Sequence, residues 1–293
     1  MYKYIKHSDG KTLAVNTTTG EVSDTFNATL PVGSMTFTPE QQKNYHKQKQ
    51  KERARQEQTL NRNPSRSFYF LKNNNEFNEL KAADVARLIV LATYIRYDRD
   101  SNKDNKLLLD TGEPLTIRDI PYLLNISEKT AKRFINNVSP KYLKITDTGL
   151  LFTNHLYFCK GRLKSNSDFR KVYNKNVRKL YNSTKHHNHI GYIFSMLQYV
   201  NIEYNILCTN PDETDIDLIQ PLSFTTFCKK IGYDTKAEAR LKRIYHSIKF
   251  NVNGKDERLV DIGNRIIINP QVLYSGTDYK KVEVLGLFYK DVV

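Results

Sequence analysis

One pattern of helices and turns occurs twice in this chain, at a fixed offset of 107 residues. The first copy, PLTIRDIPYLLNISEKTAKRFINNV, begins at Pro114, and the second copy, PLSFTTFCKKIGYDTKAEARLKRIY, begins at Pro221. Each copy predicts a helix, a short turn and a second helix. An apolar helix and a short apolar run precede each copy, and a hairpin pattern follows it. A duplicated layout of this length predicts two similar domains in tandem.

The short turn between the two helices uses related residues in both copies. Asn125 in the first copy aligns with Gly232 in the second. Glycine adopts a left-handed backbone without steric cost and asparagine tolerates it, so we expect this conformation at both positions. Thr116 and Ser127 are suitable N-cap residues for the two helices of the first copy. The order helix, strand, helix, turn, helix, hairpin is that of a winged helix-turn-helix domain.

The sequence therefore predicts an α+β fold, mainly helical, with two winged helix-turn-helix domains in tandem, a bridging helix and an N-terminal arm. We expect a hairpin and a basic arm over residues 1–66 and the first winged helix over 67–162. A basic amphipathic helix is expected to bridge the domains over 163–186, and the second winged helix covers 187–293. The two hairpin turns are expected at Thr146 to Gly149 and at Gly263 and Asn264.

Basic charge is concentrated in two short segments. The chain has a formal net charge of +15 and a pI near 9.5. Residues 41–66 carry eight Lys and Arg against two Glu, and residues 160–185 carry nine against one Asp, which together account for nearly all the excess. Localised positive charge favours a polyanion, because neutralised phosphates release counterions. A merely solvated charged face is the alternative interpretation.

In a helix-turn-helix, the second helix enters the major groove and its outer side chains reach the bases. Lysine and arginine suit guanine, asparagine suits adenine, and hydroxyl side chains suit bases or phosphates. Lys144, Asn264 and Arg265 in the wings could contact phosphate or the minor groove. For the bridging helix we favour phosphate contact or domain packing over a membrane surface or a partner helix. The predicted DNA-binding residues are Ser127, Lys129, Thr130, Lys132, Arg133, Asn137, Thr235, Lys236, Arg240, Lys242, Arg243, Arg170, Lys171, Lys175, Arg178, Lys179 and Arg265.

Enzymatic, metal and membrane functions receive little support from the sequence. No apolar run approaches the roughly 20 residues that cross a bilayer, and the start of the chain has no apolar signal segment. Three widely spaced cysteines argue against a disulfide framework and fit a cytoplasmic protein. The histidines near residue 187 and the acidic loop at 212–217 are interpreted as solvated groups. We predict no catalytic residue, no metal and no cofactor.

The tandem layout, the basic bridge and the phrases YNILCTNPDE and IIINPQVLYSG resemble proteins of Gram-positive phages, plasmids and integrative elements. More distantly, residues 67–290 are similar to winged-helix plasmid replication initiators. The resemblance implies sequence-specific binding of double-stranded DNA as a replication initiator or transcriptional regulator. No dimerisation helix is evident, so the oligomeric state stays open. The alternative is a phage-encoded protein that binds a host replication or transcription protein, such as an RNA polymerase subunit, and an enzyme ranks third.

Overall fold

A computed structural model of the chain describes residues 2–6, 12–23, 43–45, 47, 49, 68–72, 76–96, 105–152, 158–160, 169–276, 278 and 280–285. The chain forms two compact units, Met1–Gln56 and Glu57–Val293. The described residues form α-helices, 3₁₀ turns and several small antiparallel sheets, which confirms the α+β class. The domain boundaries expected at 66, 162 and 186 stay predictions.

The first unit contains a three-stranded antiparallel sheet. It consists of β1 (Tyr2–Lys6), β2 (Thr12–Asn16) and β3 (Val22–Ser23), with β2 in the centre. Gly20 forms the turn before β3 with a φ of 72°, and its N–H donates to the Asn16 carbonyl, as the Thr19-Gly20 pair predicts. In the expected arm at 38–66, residues 43–45, 47 and 49 are helical and exposed, and the rest of the arm lies outside the described residues.

In the second unit, the first repeat follows the predicted order of elements. After β4 (Phe68–Lys72), it contains α1 (Ala82–Ala92), β5 (Asn105–Lys106), α2 (Ile120–Leu123), α3 (Glu128–Val138), β6 (Leu143–Thr146) and β7 (Gly149–Phe152). A 3₁₀ turn over Ile117–Asp119 leads into α2, and Thr116 caps the start of this turn through a capping box with Asp119. The strands pair in the order β5-β7-β6, so the short strand before the helices joins the hairpin that follows them.

The segment between the repeats is not the single helix that the sequence predicts. Its elements are β8 (Phe158–Cys159), β9 (Phe169–Tyr173) and α4 (Asn174–Ser183). Phe169–Tyr173 is extended because it pairs with β4 along its whole length, in a register that sets Tyr69 opposite Val172. The bridging helix expected over 163–186 is therefore wrong at Phe169–Tyr173. Residues 161–168 lie outside the described ranges.

The second repeat has the predicted elements and one more hairpin. Its elements are α5 (His187–Ser195), α6 (Phe224–Lys230), α7 (Glu238–Ser247), β10 (Lys249–Val252), β11 (Lys255–Arg258), β12 (Val260–Ile262) and β13 (Ile266–Ile268). The expected hairpin is β12-β13, and the Gly263 N–H donates to the Arg265 carbonyl in its turn. The added hairpin, β10-β11, turns at Asn253 and Gly254, both with positive φ. The Asn253-Gly254 pair is a strong short-range signal for this hairpin, which the predicted layout lacks.

Backbone pairing supports the equivalence of the two repeats. Leu107 bridges Ile95 and donates its N–H to the Leu150 carbonyl. In the second repeat, Leu207 bridges Val200 and donates its N–H to the Ile266 carbonyl. The turn residues Asn125 and Gly232 have φ of 46° and 68°, which confirms the predicted left-handed positions.

Both repeats contribute to one apolar core. Leu88 and Phe134 from the first repeat and Ile193 and Leu241 from the second are fully buried in the same cluster. Helices α1 and α5 approach most closely at Gly191, where a Cβ atom would lie 1.7 Å from the Ala82 carbonyl oxygen. Only glycine permits this approach. The chain continues through β14 (Leu273–Tyr274), which pairs with β9, to α8 (Lys280–Leu285).

Candidate nucleic-acid interface

Helix α3 has one buried face and one exposed face. Ala131, Phe134, Ile135 and Val138 are the buried residues, at the helical spacing that the sequence shows. This stripe packs on the core because apolar residues three and four positions apart share one side of a helix. The start of the helix is fixed by Ser127, whose hydroxyl accepts the Thr130 N–H at 3.3 Å.

The exposed side of α3 carries cationic groups. We define the α3 face as Lys129, Lys132 and Arg133, all of which are exposed. Thr130 is half-buried, and its hydroxyl lies 2.9 Å from that of Ser127. These two residues, both predicted to contact DNA, therefore also form the N-terminal cap of α3. The α3 face therefore presents three positive charges to solvent at the start and middle of the helix.

The second repeat presents a similar face. We define the α7 face as Lys236, Arg240, Lys242 and Arg243, which are exposed on the 3₁₀ turn at Thr235–Ala237 and on α7. The opposite side of α7 is buried through Leu241 and Tyr245. Thr235 is half-buried, and the Asp234 side chain caps this start by accepting the Lys236 N–H at 2.9 Å.

Asn137 has a different environment from the rest of the predicted set in α3. Its side-chain amide donates to Asp84, a residue that is 2% exposed on α1. Asp84 also pairs with Arg87, whose guanidinium lies over the Phe134 ring at 5.9 Å from the ring centroid. The Asn137 donor is thus already used within the protein, where it holds α3 against α1.

The residues predicted to lie in wings are on or beside two hairpins, β6-β7 and β12-β13. Lys144 is exposed on β6, Asn264 is exposed in the β12-β13 turn, and Arg265 beside it is half-buried. These positions leave Lys144 and Asn264 accessible to a ligand.

Arg170 is a correction to the predicted binding set. Because Phe169–Tyr173 is a strand, alternate residues face the core, and Arg170 is 1% exposed. Its guanidinium donates to the Val200 carbonyl at 2.8 Å. An arginine buried in this way has no surface to offer to DNA.

The other cations of the basic segment lie on or beside α4. Lys171 is half-buried on β9, whereas Lys175 is exposed on α4. Arg178 donates to the Thr93 hydroxyl and to Asp110, and it stacks on the Tyr94 ring at 3.7 Å from the centroid. Lys179 donates to the Asn251 carbonyl at 2.9 Å. Of these four residues, Lys175 is the exposed one, and the other three are half-buried.

Arg96 and Lys160, which are not in the predicted binding set, lie beside Arg178. Burial, and then the positive charges of Arg96 and Arg178, lower the pKa of the Lys160 ammonium. The three residues are far apart in the chain, at positions 96, 160 and 178, and no local pattern indicates that they meet. Only the tertiary fold brings them together.

Other chemistry is sparse in the described part of the chain. Within those residues, no group of three or more His, Cys, Asp and Glu side chains is arranged to hold a metal ion. Cys208 and Cys228 are buried free thiols, and burial raises the pKa of each to about 11. None of the helices described is both long and apolar enough to span a bilayer. Comparisons with models of protein families, with curated proteins and with solved structures found no match to this chain.

Proposed function

We propose that this protein binds double-stranded DNA sequence-specifically, as a replication initiator or transcriptional regulator of a phage or plasmid. The exposed α3 face is the observation that carries the proposal. Its three cations lie on α3, which we interpret as the second helix of a helix-turn-helix. In proteins of that design the second helix enters the major groove. The α7 face repeats this arrangement with four cations.

The arrangement of the strands supports a winged-helix interpretation of each repeat. In the first repeat, the sheet order β5-β7-β6 joins the strand before the helices to the hairpin after them. In the second repeat, the Leu207 N–H donates to the Ile266 carbonyl of β13, which likewise joins the segment before the helices to a hairpin after them. On this interpretation the hairpins serve as wings, and Lys144 and Asn264 are their accessible polar residues. The function needs no cofactor and no catalytic residue, and it places the protein in the host cytoplasm.

Selection of bound fragments from the parent genome, followed by a salt titration, tests the proposal. If about eight phosphates are neutralised, the logarithm of the association constant falls with the logarithm of salt concentration at a slope of about −7. The α3 and α7 faces together carry seven cations that can neutralise phosphates. A slope near zero, or fragments selected without any common sequence, would contradict the proposal.

A second candidate function is binding to a host replication or transcription protein. It is favoured by exposed apolar side chains on the first repeat: Tyr122 is 88% exposed, and Ile117 and Ile145 are 40% and 46% exposed. A pull-down from nuclease-treated host lysate tests it with the wild-type protein and a Tyr122→Ser variant. A partner that survives nuclease treatment and is lost from the variant supports this second function.

A further inference from the structure

A basic cleft lies between the end of α1 and α4. Its volume is about 840 Å³, and its lining includes polar side chains of α4 such as Asn182 and Ser183. The charged side chains in the lining are Arg96, Lys160, Lys175, Arg178, Lys179 and the single carboxylate Asp110. The lining therefore carries five cations and one anion, a net charge of +4.

Only one of these cations has a charged partner in the lining. Arg178 pairs with Asp110 at 2.8 Å. Arg96 donates to the Asp110 backbone carbonyl at 3.2 Å, and Lys160 donates to the Ile95 carbonyl at 3.1 Å. A carbonyl oxygen accepts a hydrogen bond but carries no net charge, so these contacts orient the cations without neutralising them.

The cations are crowded and partly desolvated. Arg178 is held by Thr93 and by the Tyr94 ring, so its guanidinium is fixed before any ligand arrives. Lys160 is half-buried, and its lowered pKa reflects burial followed by the charges of Arg96 and Arg178. Like charges held close together in a concave site raise the local concentration of anions.

We propose that this cleft binds phosphate groups, as a site distinct from the α3 and α7 faces. Guanidinium and ammonium groups are the donors that recognise phosphate oxygens in proteins, and here both types converge. The volume lies within the range of small-ligand sites, so a free polyphosphate or nucleotide fits. The phosphodiester backbone of a nucleic acid is the other source of the same group.

A nucleic-acid strand could reach the cleft from the start of α3. Asn182 and Ser183 also line a neighbouring cavity of about 500 Å³, whose other lining residues include Ser127 and Thr130 of α3. The last turn of α4 thus borders both spaces. The cleft therefore lies near the start of α3, although pyrophosphate binding does not depend on the proposed DNA interface.

The first experiment measures thermal unfolding with sodium pyrophosphate, at an ionic strength matched with sodium chloride. We expect the unfolding temperature of the wild-type protein to rise by about 3 °C at a pyrophosphate concentration tenfold above Kd. Lys175→Gln and Lys160→Gln each lose at least half of this rise. Lys175 is exposed, so its substitution leaves the fold intact even if the Lys160 variant is destabilised. Lys229→Gln, an exposed change on α6, is the matched control and keeps the full rise.

The second experiment measures the affinity of the same variants for a selected duplex. If DNA is the source of the phosphate, Lys175→Gln and Lys160→Gln each weaken duplex binding about threefold or more, whereas Lys229→Gln does not. Loss of the pyrophosphate response with duplex binding unchanged identifies a small polyphosphate instead. A protein that binds no DNA can still pass the pyrophosphate test, so failure of the proposed function is distinguishable. Equal pyrophosphate responses and equal duplex affinities in all three variants would overturn the proposal.

Discussion

The side-chain amide of Asn137 donates a hydrogen bond to the carboxylate of Asp84 at 2.9 Å and thereby fastens α3 to α1. Asp84 is almost fully buried, and Arg87 is its charged partner one turn further along α1. A buried carboxylate destabilises a fold unless it is paired and hydrogen-bonded. The exposed side of α3 therefore contains two kinds of residue. Asn137 holds the helix in place, whereas the cations of the α3 face are accessible to a ligand.

Substitution of Asp84 is expected to cost far more stability than substitution of Asn137. Asp84→Ala removes the charged partner of Arg87 and should lower the free energy of unfolding by about 2–4 kcal/mol. Asn137→Ala removes one hydrogen bond and should lower it by about 1 kcal/mol. Urea unfolding of the two variants measures both values. A larger loss in Asn137→Ala would show that the contact between α3 and α1 is misassigned.

Substitution in the two exposed faces is expected to weaken DNA binding without changing stability. Arg133→Ala and Arg243→Ala should each weaken specific binding by about 1–3 kcal/mol, because each removes a cation that can contact a base or phosphate. The free energy of unfolding should stay within about 0.5 kcal/mol of the wild type, since both side chains are exposed. Fluorescence anisotropy with a selected duplex gives the affinities, with Lys229→Ala as control. Unchanged site preference in both variants would remove α3 and α7 as base-reading helices.

Gly191→Ala is expected to disrupt the contact between the repeats. A Cβ atom would lie 1.7 Å from the Ala82 carbonyl oxygen, and backbone atoms cannot yield as the end of a side chain can. We expect a loss of at least about 3 kcal/mol in the free energy of unfolding, measured by urea titration. Gly263→Ala is the matched control, because a Cβ there meets nothing within 4 Å. The control should stay within about 1 kcal/mol of the wild type, and equal effects at both sites would contradict the close approach.

Acid is expected to destabilise the protein through His189. Contrary to the expectation that the histidines near residue 187 are solvated, the His189 ring is 6% exposed. Its nitrogens have no hydrogen-bond partner among the described residues. Burial, and then the charges of His186 and Arg240, lower the pKa of His189 to about 4. The unfolded chain takes up a proton near pH 6.5 and the folded chain does not, so stability is complete above pH 6.5 and falls towards pH 4.

The size of this effect is tested by comparison with His189→Phe. At pH 5, His189 should lower the free energy of unfolding by about 2 kcal/mol relative to pH 7. His187 and His246 also have lowered pKa values, so some acid sensitivity should persist in the variant. Urea unfolding at the two pH values gives the difference. An equal loss in the wild type and in His189→Phe would show that another group is responsible.

The sequence was informative wherever local rules decide the structure. The positive φ of Asn125 and Gly232 follows from residue type, and the Ser127 cap follows from side-chain chemistry. The buried and exposed sides of α3 follow from a period of 3.6 residues. These features require no knowledge of distant parts of the chain, and so the exposure of the α3 and α7 faces can be predicted from the sequence.

Long-range pairing explains the errors. Residues Phe169–Tyr173 have side chains that fit an amphipathic helix, but they form a strand because β4 and β14 lie on either side of them. The partner of Val172 on β14 is Leu273, about a hundred residues away. The periodicity of the segment alone gave no sign of that partner, and Arg170 at a core-facing position obscured the alternating pattern. The cleft at Arg96 and Lys160 also forms from distant parts of the chain, and no local pattern predicts it.

The shared core restricts how the two halves can vary. Helices α1 and α5 are so close at Gly191 that no side chain fits there, and apolar residues of both repeats lie in one cluster. A substitution on one side of this contact between the repeats, the seam, must be matched by one on the other side. Modules that are joined only by a flexible linker have no such requirement. Exchanging one repeat for that of a related protein would then require the seam to be exchanged with it.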